Sequence, residues 1–240
     1  KPRIAVGKDR FRKYYDFNFD LRNNNTGHVI TNSLKLLEAF GLSYEKSDCF
    51  APPFISGEAN QKAVEILNEL KIGKEKPLVV GYNISAGSPE RMLSNDVAAE
   101  LLEKVLSYED NTRIILFAIG ADREKAETLL KHFPDRVNII PDGLDLIEAS
   151  AVIKNLDVFI TPDTSLVHIA RSFNIPVVAL YRRYLNNYKI WYPFDQLCGT
   201  VLSKNDNDIS DLTAEMIYGE FVKLLDYFKK EGKCQISQRS

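Results

Sequence analysis

The chain has 240 residues, of which 45% are hydrophobic and 27% charged, with a formal net charge of −2 at pH 7. This length favours one complete domain plus an appendage, and the near-neutral charge gives no support for a nucleic-acid-binding protein. No apolar run reaches the roughly 20 residues that span a bilayer. The three cysteines lie far apart and form no metal-binding pattern with histidine, which favours a reducing, cytoplasmic compartment without disulfides or zinc.

Before residue 77 the chain opens with a basic, aromatic stretch at residues 8–15. Two amphipathic segments follow, which predict helices at residues 29–40 and near residues 58–71. Gly41 is placed to close the first of them, because glycine readily adopts the left-handed conformation that ends many helices.

From residue 77 short β-branched runs alternate with segments of helical periodicity. The predicted strands are residues 77–84, 112–120, 136–141, 156–162 and 175–181. The predicted helices between them are residues 94–108, 122–133, 145–155 and 164–173. Strands that read as continuous apolar runs are buried on both faces, so we predict an α/β fold: a Rossmann-like parallel sheet with helices on both faces and right-handed crossovers.

The end of the chain is less regular. Residues 182–213 hold many aromatic and basic side chains, and we predict irregular structure there. An amphipathic helix is predicted at residues 214–230, followed by a polar, frayed tail.

Open parallel sheets bind ligands at the carboxyl ends of their strands, where the strand order reverses. If the five strands follow the common order 3-2-1-4-5, the reversal falls between the first and the fourth. The stretches NISAGSPERM (83–92) and PDTSLVH (162–168) then face each other across a crevice.

The helix that follows the fourth strand is suited to an anion. Asp163, Thr164 or Ser165 can cap it, while its first N–H groups and its dipole favour a phosphate. On the opposite wall, Ser85 and Arg91 offer hydroxyl and guanidinium donors. The combination predicts a site for a nucleoside diphosphate.

Ordinary structural roles are the alternatives for these residues. Asp163 and Thr164 are common helix N-caps. Glu124 follows the second strand, where it could accept hydrogen bonds from ribose hydroxyls, but a lone charge such as Glu124 or Arg91 is usually solvated. His168 lies one turn into a helix among apolar neighbours, which is typical of a partly buried structural histidine. The histidines are unclustered, so no metal site is predicted.

The stretch DVFITPDTSLVHIARSFNIPVVALY (157–181) resembles the strand, D-T-G-x-x-H helix and P-x-V-x-L-[FY] strand of glycosyltransferase family 9, the heptosyltransferases of lipopolysaccharide assembly. Ser165 stands where the family usually has Gly. GYNISAGSPERMLSNDVAAELLEKV (81–105) is similar to its phosphate loop, with Arg91 in place of Lys and no Trp-Pro pair. IGADREKAETL (119–129) resembles its ribose-binding G-x-x-x-E segment, and HVITNSLKLLEAFGL (28–42) the end of its amino-terminal domain.

The resemblance implies the GT-B architecture of two Rossmann-like domains. Residues 1–60 are then a remnant of the acceptor-binding domain with a linker, and residues 61–240 are the nucleotide-sugar-binding domain. It also implies metal-independent, inverting transfer of a sugar, with ADP-heptose as the donor, to a lipopolysaccharide core or another glycan acceptor. The strand-end chemistry and the resemblance together assign donor binding to Ser85, Arg91, Glu124, Asp163, Thr164, Ser165 and His168.

The family's general base lies in a Gly-Asp motif near the start of its members, and this chain does not open with one. We therefore expect about the first hundred residues of a standard member to be missing, the catalytic base to lie outside this chain, and the chain to bind nucleotide without transfer. The expected location is cytoplasmic, with peripheral contact to the inner membrane through residues 8–15 and 181–192.

Two other functions remain compatible with the sequence. One is a catalytically inactive domain that binds a nucleotide or a partner, which Ser165 and the missing Trp-Pro pair favour. The other is a GT-B sugar-nucleotide epimerase. Adenine and uracil donors are both compatible with the same residues.

Overall fold

The computed structural model describes residues 1–21, 27–69 and 77–230 of the chain. At the amino-terminal end, β1 (Ile4–Val6) and β2 (Phe17–Phe19) form a two-stranded parallel sheet with a 3₁₀ helix, Asp9–Tyr14, between them. The sequence patterns did not predict these two short strands.

The two helices predicted before residue 77 are present. The first begins as α1 (Val29–Leu34), tightens into a 3₁₀ helix at Lys35–Phe40, and ends at Gly41 in the left-handed conformation with φ of 67°. A further 3₁₀ turn, Lys46–Phe50, precedes α2 (Gly57–Glu69). The last two residues of the second prediction, 70 and 71, lie outside the described residues.

The larger part of the chain is a six-stranded sheet in which all neighbouring strands are parallel. Its strands are β3 (Val79–Asn83), β4 (Arg113–Phe117), β5 (Val137–Ile139), β6 (Val158–Pro162), β7 (Val177–Tyr181) and β8 (Thr200–Leu202). Their order is β5-β4-β3-β6-β7-β8, so the chain reverses its winding direction between β3 and β6. The five predicted strands and their order 3-2-1-4-5 are confirmed.

Helices connect the strands and cover both faces of this sheet. They are α3 (Asn95–Leu106), α4 (Asp122–His132), α5 (Leu146–Ile153), α6 (Ser165–Ser172), α7 (Leu185–Trp191) and α8 (Ala214–Lys230). The prediction of irregular structure at 182–213 was wrong in two places, because α7 and the edge strand β8 lie there. None of the described helices combines the length and apolarity needed to span a bilayer.

Alternate residues of the central strands pack in two separate hydrophobic cores, one on each face of the sheet. On β3, Val80 and Tyr82 pack beneath α3 and α8, whereas Val79 faces the side covered by α2, α5 and α6. The strands are therefore buried on both faces, as their continuous apolar sequences predicted. This packing fixes the carboxyl ends of β3 and β6 side by side.

Candidate functional site

A cavity of about 390 Å³ opens at the carboxyl ends of the central strands. We call it the cleft cavity. Its lining comes from the loop after β3, the end of β4, the loop between β5 and α5, and the first turn of α6. It lies beside the reversal of strand order, where an open α/β sheet is expected to bind its ligand.

The loop after β3 is held by side-chain hydrogen bonds. Asn83 is buried, donates from Nδ2 to Thr161 Oγ1 over 3.0 Å, and accepts at Oδ1 from the Ser85 backbone N–H over 3.1 Å. Ser85 in turn accepts at Oγ from the Ile119 N–H over 3.1 Å. Since a hydroxyl oxygen that accepts keeps its own proton, Ser85 can still donate to a ligand in the cavity.

The first turn of α6 forms the facing wall. Thr164 is the N-cap, and its Oγ1 accepts from the Leu166 N–H over 3.3 Å and lies 3.2 Å from Thr161 Oγ1. Ser165 is exposed at the start of the helix and also lines the cavity. The positive end of the helix dipole therefore meets the cavity wall, as the capping residues predicted.

Arg91 and Asp163 lie at the border of the cavity and do not line it. Arg91 Nη1 donates to the Asp163 carbonyl oxygen over 2.8 Å, and its Nη2 lies 3.8 Å from the position of a β-carbon on Gly87, a lining residue. The Asp163 carboxylate accepts at Oδ2 from Asn187 Nδ2 over 2.8 Å. Burial raises the pKa of Asp163, while the charge of Arg91, the hydrogen bond from Asn187 and the charge of Arg182 oppose that rise.

Two further sequence-predicted residues lie away from the cleft cavity and its border. Glu124 is exposed in the first turn of α4, where its neighbour Arg123 reaches the cavity loop by donating to the Ile140 carbonyl oxygen over 3.0 Å. His168 lies further along α6 and lines a second cavity. Burial and the nearby His28 lower the pKa of His168 to about 4, so its imidazole is neutral at pH 7. The donor-binding roles of both residues stay predictions.

The sequence patterns missed the loop between β5 and α5, which supplies the third wall through residues 140–146. Asp145 caps α5 by accepting at Oδ1 from the Glu148 N–H over 2.8 Å, and Glu148 Oε2 accepts from the Asp145 N–H over 2.9 Å. The sequence P-D-G-L-D-x-x-E is a recognisable turn followed by this reciprocal capping box, so the signal was present.

The third wall gives the cleft cavity an apolar end beside its polar one. Phe117 is the last residue of β4 and Ile119 follows that strand, and the third wall contributes Ile140, Leu144 and Leu146. An apolar slot that adjoins the positive end of a helix suits a molecule with a flat base and a phosphate group. Within residues 1–21, 27–69 and 77–230, no group of three or more His, Cys, Asp or Glu side chains is arranged to hold a metal ion.

Comparisons with known proteins identify the family and the fold of the chain. The sequence model of glycosyltransferase family 9 (heptosyltransferase) matches residues 3–214. The crystal structure of a family 9 glycosyltransferase from Veillonella parvula DSM 2008 superposes with a TM-score of 0.74 at 17% identity, covering 91% of this chain and 66% of that one. No sequence among the curated proteins matches the chain.

Two Escherichia coli enzymes also share the fold. Heptosyltransferase WaaC with ADP has a TM-score of 0.64 at 18% identity over 89% of this chain and 61% of its own. ADP-heptose lps heptosyltransferase II has a TM-score of 0.59 at 18% identity over 74% of this chain and 54% of its own. The chain thus spans between 54% and 66% of the length of these three structures. Since the family model covers most of the sequence and the predicted fold class is confirmed, the chain belongs to glycosyltransferase family 9.

Proposed function

We propose that this chain is the donor-binding part of a glycosyltransferase that transfers heptose from ADP-heptose to a lipopolysaccharide-type glycan. The observation that carries the proposal is the cleft cavity, in which an apolar slot adjoins the amino-terminal end of α6 at the reversal of strand order. The family membership and the two heptosyltransferase neighbours, one of them with ADP, support the choice of donor.

The nucleobase occupies the apolar slot in this proposal. Ile119 is 74% exposed and Leu146 is 55% exposed at the rim of the cavity. Removal of large aliphatic side chains from water by a ligand lowers the free energy of the complex, and a planar base presents an apolar face that can cover them. The exposed Ile119 and Leu146 are thus positioned to cover the base.

The diphosphate lies between the two polar walls. Thr164 and Ser165 bring the positive end of α6, and Ser85 and Arg91 bring a hydroxyl donor and a cation from the opposite side. Ser165 lies in the first turn of a regular helix with its side chain exposed, so serine fits where the family usually has glycine.

The chemistry follows from this arrangement. A base takes the proton of the acceptor hydroxyl, the oxygen attacks the anomeric carbon with inversion, and the bond to the diphosphate breaks. The negative charge that grows on the leaving diphosphate is stabilised by the α6 dipole and the Arg91 guanidinium, an electrostatic contribution made by protein groups. No residue of this chain is assigned as the base.

Peripheral contact with the cytoplasmic face of a membrane is part of the same proposal. The 3₁₀ helix Asp9–Tyr14 exposes 52% of Phe11 and 51% of Tyr14 beside the exposed cations Arg12 and Lys13. Aromatic rings next to basic side chains suit the interface of an anionic lipid surface.

Isothermal titration of the chain with ADP, UDP, GDP and adenosine tests the proposed site. We expect selective binding of ADP. We expect Ala149→Phe to weaken ADP binding about tenfold or more, because Ala149 lines the cleft cavity and a phenylalanine ring at this position would occupy it. Ala39→Phe is the matched control, since Ala39 is also half-buried but lies in the amino-terminal 3₁₀ helix. A folded chain that binds no diphosphate, or an Ala149→Phe variant that binds ADP unchanged, contradicts the proposal.

A second measurement separates a transferase from an inactive binding domain. If the whole protein is a transferase, ADP is released from ADP-heptose only when a glycan acceptor is present. Binding of ADP-heptose without release, with a range of lipopolysaccharide-type acceptors, identifies an inactive binding protein.

A further inference from the structure

A second cavity, of about 330 Å³, lies between the amino-terminal segment and α6. We call it the α1–α6 cavity. Its apolar walls are formed by Val29, Ile30, Leu34, Phe50 and Phe194. Its polar side is one face of α6, where His168, Arg171 and Ser172 are spaced by three and four residues and so lie together.

Arg171 is unusual for a cation because only 7% of its surface is exposed. Nη1 donates to the Ile175 carbonyl oxygen over 3.1 Å, and the guanidinium lies about 6 Å from the ring centres of Phe50 and Phe228. Its Nε is buried and has no hydrogen-bond partner within the part of the chain that the structure describes. Burial lowers the pKa of Arg171 to about 10, so the side chain is still charged at pH 7.

The carboxylates near this cavity are engaged elsewhere. Asp195 pairs with Lys46 Nζ at 2.9 Å. Asp48 lines the cavity but is exposed, and its Oδ2 accepts from the Glu45 N–H over 2.8 Å. Among the described residues no ion pair joins Arg171 to either carboxylate, although the charge of Asp195 acts on the guanidinium from a greater distance and opposes the fall of its pKa. Buried charges in proteins are normally paired, because desolvation of an unpaired ion is costly.

A second lining residue of this cavity also carries a buried polar atom without a partner. His168 Nδ1 is buried and has no hydrogen-bond partner among the described residues. Its imidazole lies 5.6 Å from the Trp191 ring and 6.2 Å from the His28 ring, centre to centre. The cavity thus has two residues with unsatisfied polar atoms on one helix face and apolar walls around them. Such a cavity suits a ligand with an acidic group and an apolar or sugar body.

We propose that the α1–α6 cavity binds a small anionic group, a phosphate or a carboxylate, which accepts hydrogen bonds from Arg171. Arginine suits both anions because its planar guanidinium can donate two parallel hydrogen bonds to a pair of oxygens. This site is separate from the cleft cavity, since the two cavities contact α6 at different turns and share no lining residue. The inference does not depend on the proposed nucleotide site.

The test is an NMR titration of the arginine Nε–H signals of the chain at pH 7 with sodium phosphate and, separately, with sodium acetate. Sodium chloride at matched ionic strength corrects for screening. We expect the Arg171 signal, identified by its loss in Arg171→Lys, to shift saturably with at least one anion. A phosphate response identifies a phosphate ligand, and an acetate response identifies a carboxylate ligand.

Variants test whether the anion response depends on the charge of Arg171. Arg171→Met removes the charge from a site with apolar walls, and we expect the stabilisation of thermal unfolding by the anion to need about tenfold more anion or to disappear. Arg136→Met is the matched control, because Arg136 also donates to backbone carbonyls but lies at the amino-terminal end of β5. Saturating ADP should leave the anion response in place.

Three outcomes overturn the inference: no saturable shift with either anion, an equal response in Arg171→Met, or loss of the response when ADP is bound. The last result assigns the anion to the cleft cavity. If Arg171→Met does not fold, the titration of the wild-type signal decides alone. A negative result in the anion titration does not change the result expected from the ADP titration, so the two proposals can fail independently.

Discussion

Arg91 donates a hydrogen bond from Nη1 to the backbone carbonyl oxygen of Asp163 over 2.8 Å. The bond joins the loop after β3 to the loop after β6, two segments that are 72 residues apart in sequence. Because these loops carry opposite walls of the cleft cavity, the bond helps to fix the distance between the walls. It also holds a cation at the edge of the cavity, where a diphosphate would lie.

Removal of this cation should discriminate between ligands. We expect Arg91→Ala to weaken ADP binding about tenfold or more and adenosine binding by less than about twofold, because the charge that Arg91 meets is on the phosphates. Calorimetric titration of both ligands measures the difference. Arg12→Ala, at an exposed site on the amino-terminal 3₁₀ helix, is the control. Equal losses for ADP and adenosine are incompatible with a phosphate contact.

The N-cap of α6 should contribute to both stability and binding. Thr164→Val keeps the size of the side chain but removes the oxygen that accepts from the Leu166 N–H. We expect the free energy of unfolding in urea to fall by about 1 kcal/mol and ADP affinity to fall with it. Thr128→Val, on an exposed face of α4, should change stability by less than about 0.5 kcal/mol. Similar effects at the two sites argue against the capping role.

Two glycines should respond in opposite directions to the same substitution. A β-carbon on Gly81, in the middle of β3, would lie 2.5 Å from Phe159 Cδ2 and against Leu156 as well. We expect Gly81→Ala to cost about 1 to 3 kcal/mol through overpacking. Gly219 lies inside α8 with no neighbouring atom within 4 Å of a β-carbon, so Gly219→Ala should add about 0.5 to 1 kcal/mol. Urea unfolding checks both, and stabilisation at Gly81 contradicts the close packing of β3 against β6.

Stability should fall as the pH drops from about 6.5 towards 4. The pKa of His168 is lowered to about 4 by burial and by His28, so in this range the unfolded chain binds a proton that the folded chain does not. The contribution is on the order of 1 to 2 kcal/mol between pH 7 and pH 5. His168→Phe should remove part of this dependence in urea unfolding, whereas His132→Phe, at an exposed position, should retain it. An unchanged profile in His168→Phe shows that His168 is not the group responsible.

The central sheet could be predicted because each of its inner strands is buried on both faces and therefore reads as a continuous apolar run. The helix α7 and the strand β8 could not be predicted in this way, because tertiary contacts hold them. Asn187 on α7 donates to Asp163, Tyr181 donates from its hydroxyl to the Trp191 carbonyl oxygen over 2.7 Å, and β8 pairs with β7 over three residues. Local patterns carry little information about such contacts.

The structure brings sequence-predicted residues together where the topology of the sheet determines their position. Ser85, Thr164 and Ser165 follow β3 and β6, so the reversal of strand order brings them to the same cavity. The third wall was missed because β5 lies two strands away from β3, and only the path of the loop at 140–146 brings it back towards the centre. His168 lies one turn further along α6 than Thr164 and Ser165 and lines the α1–α6 cavity, and a motif of fixed spacing does not show which cavity each turn reaches.

The lengths of the strands bear on how the protein avoids association with other chains. The four inner strands of the large sheet have five residues each, but the two edge strands, β5 and β8, have only three. An edge strand exposes unpaired backbone groups that can recruit a strand from another molecule, and a short edge offers few of them. The sheet thus ends on both sides in strands too short to act as good templates for aggregation.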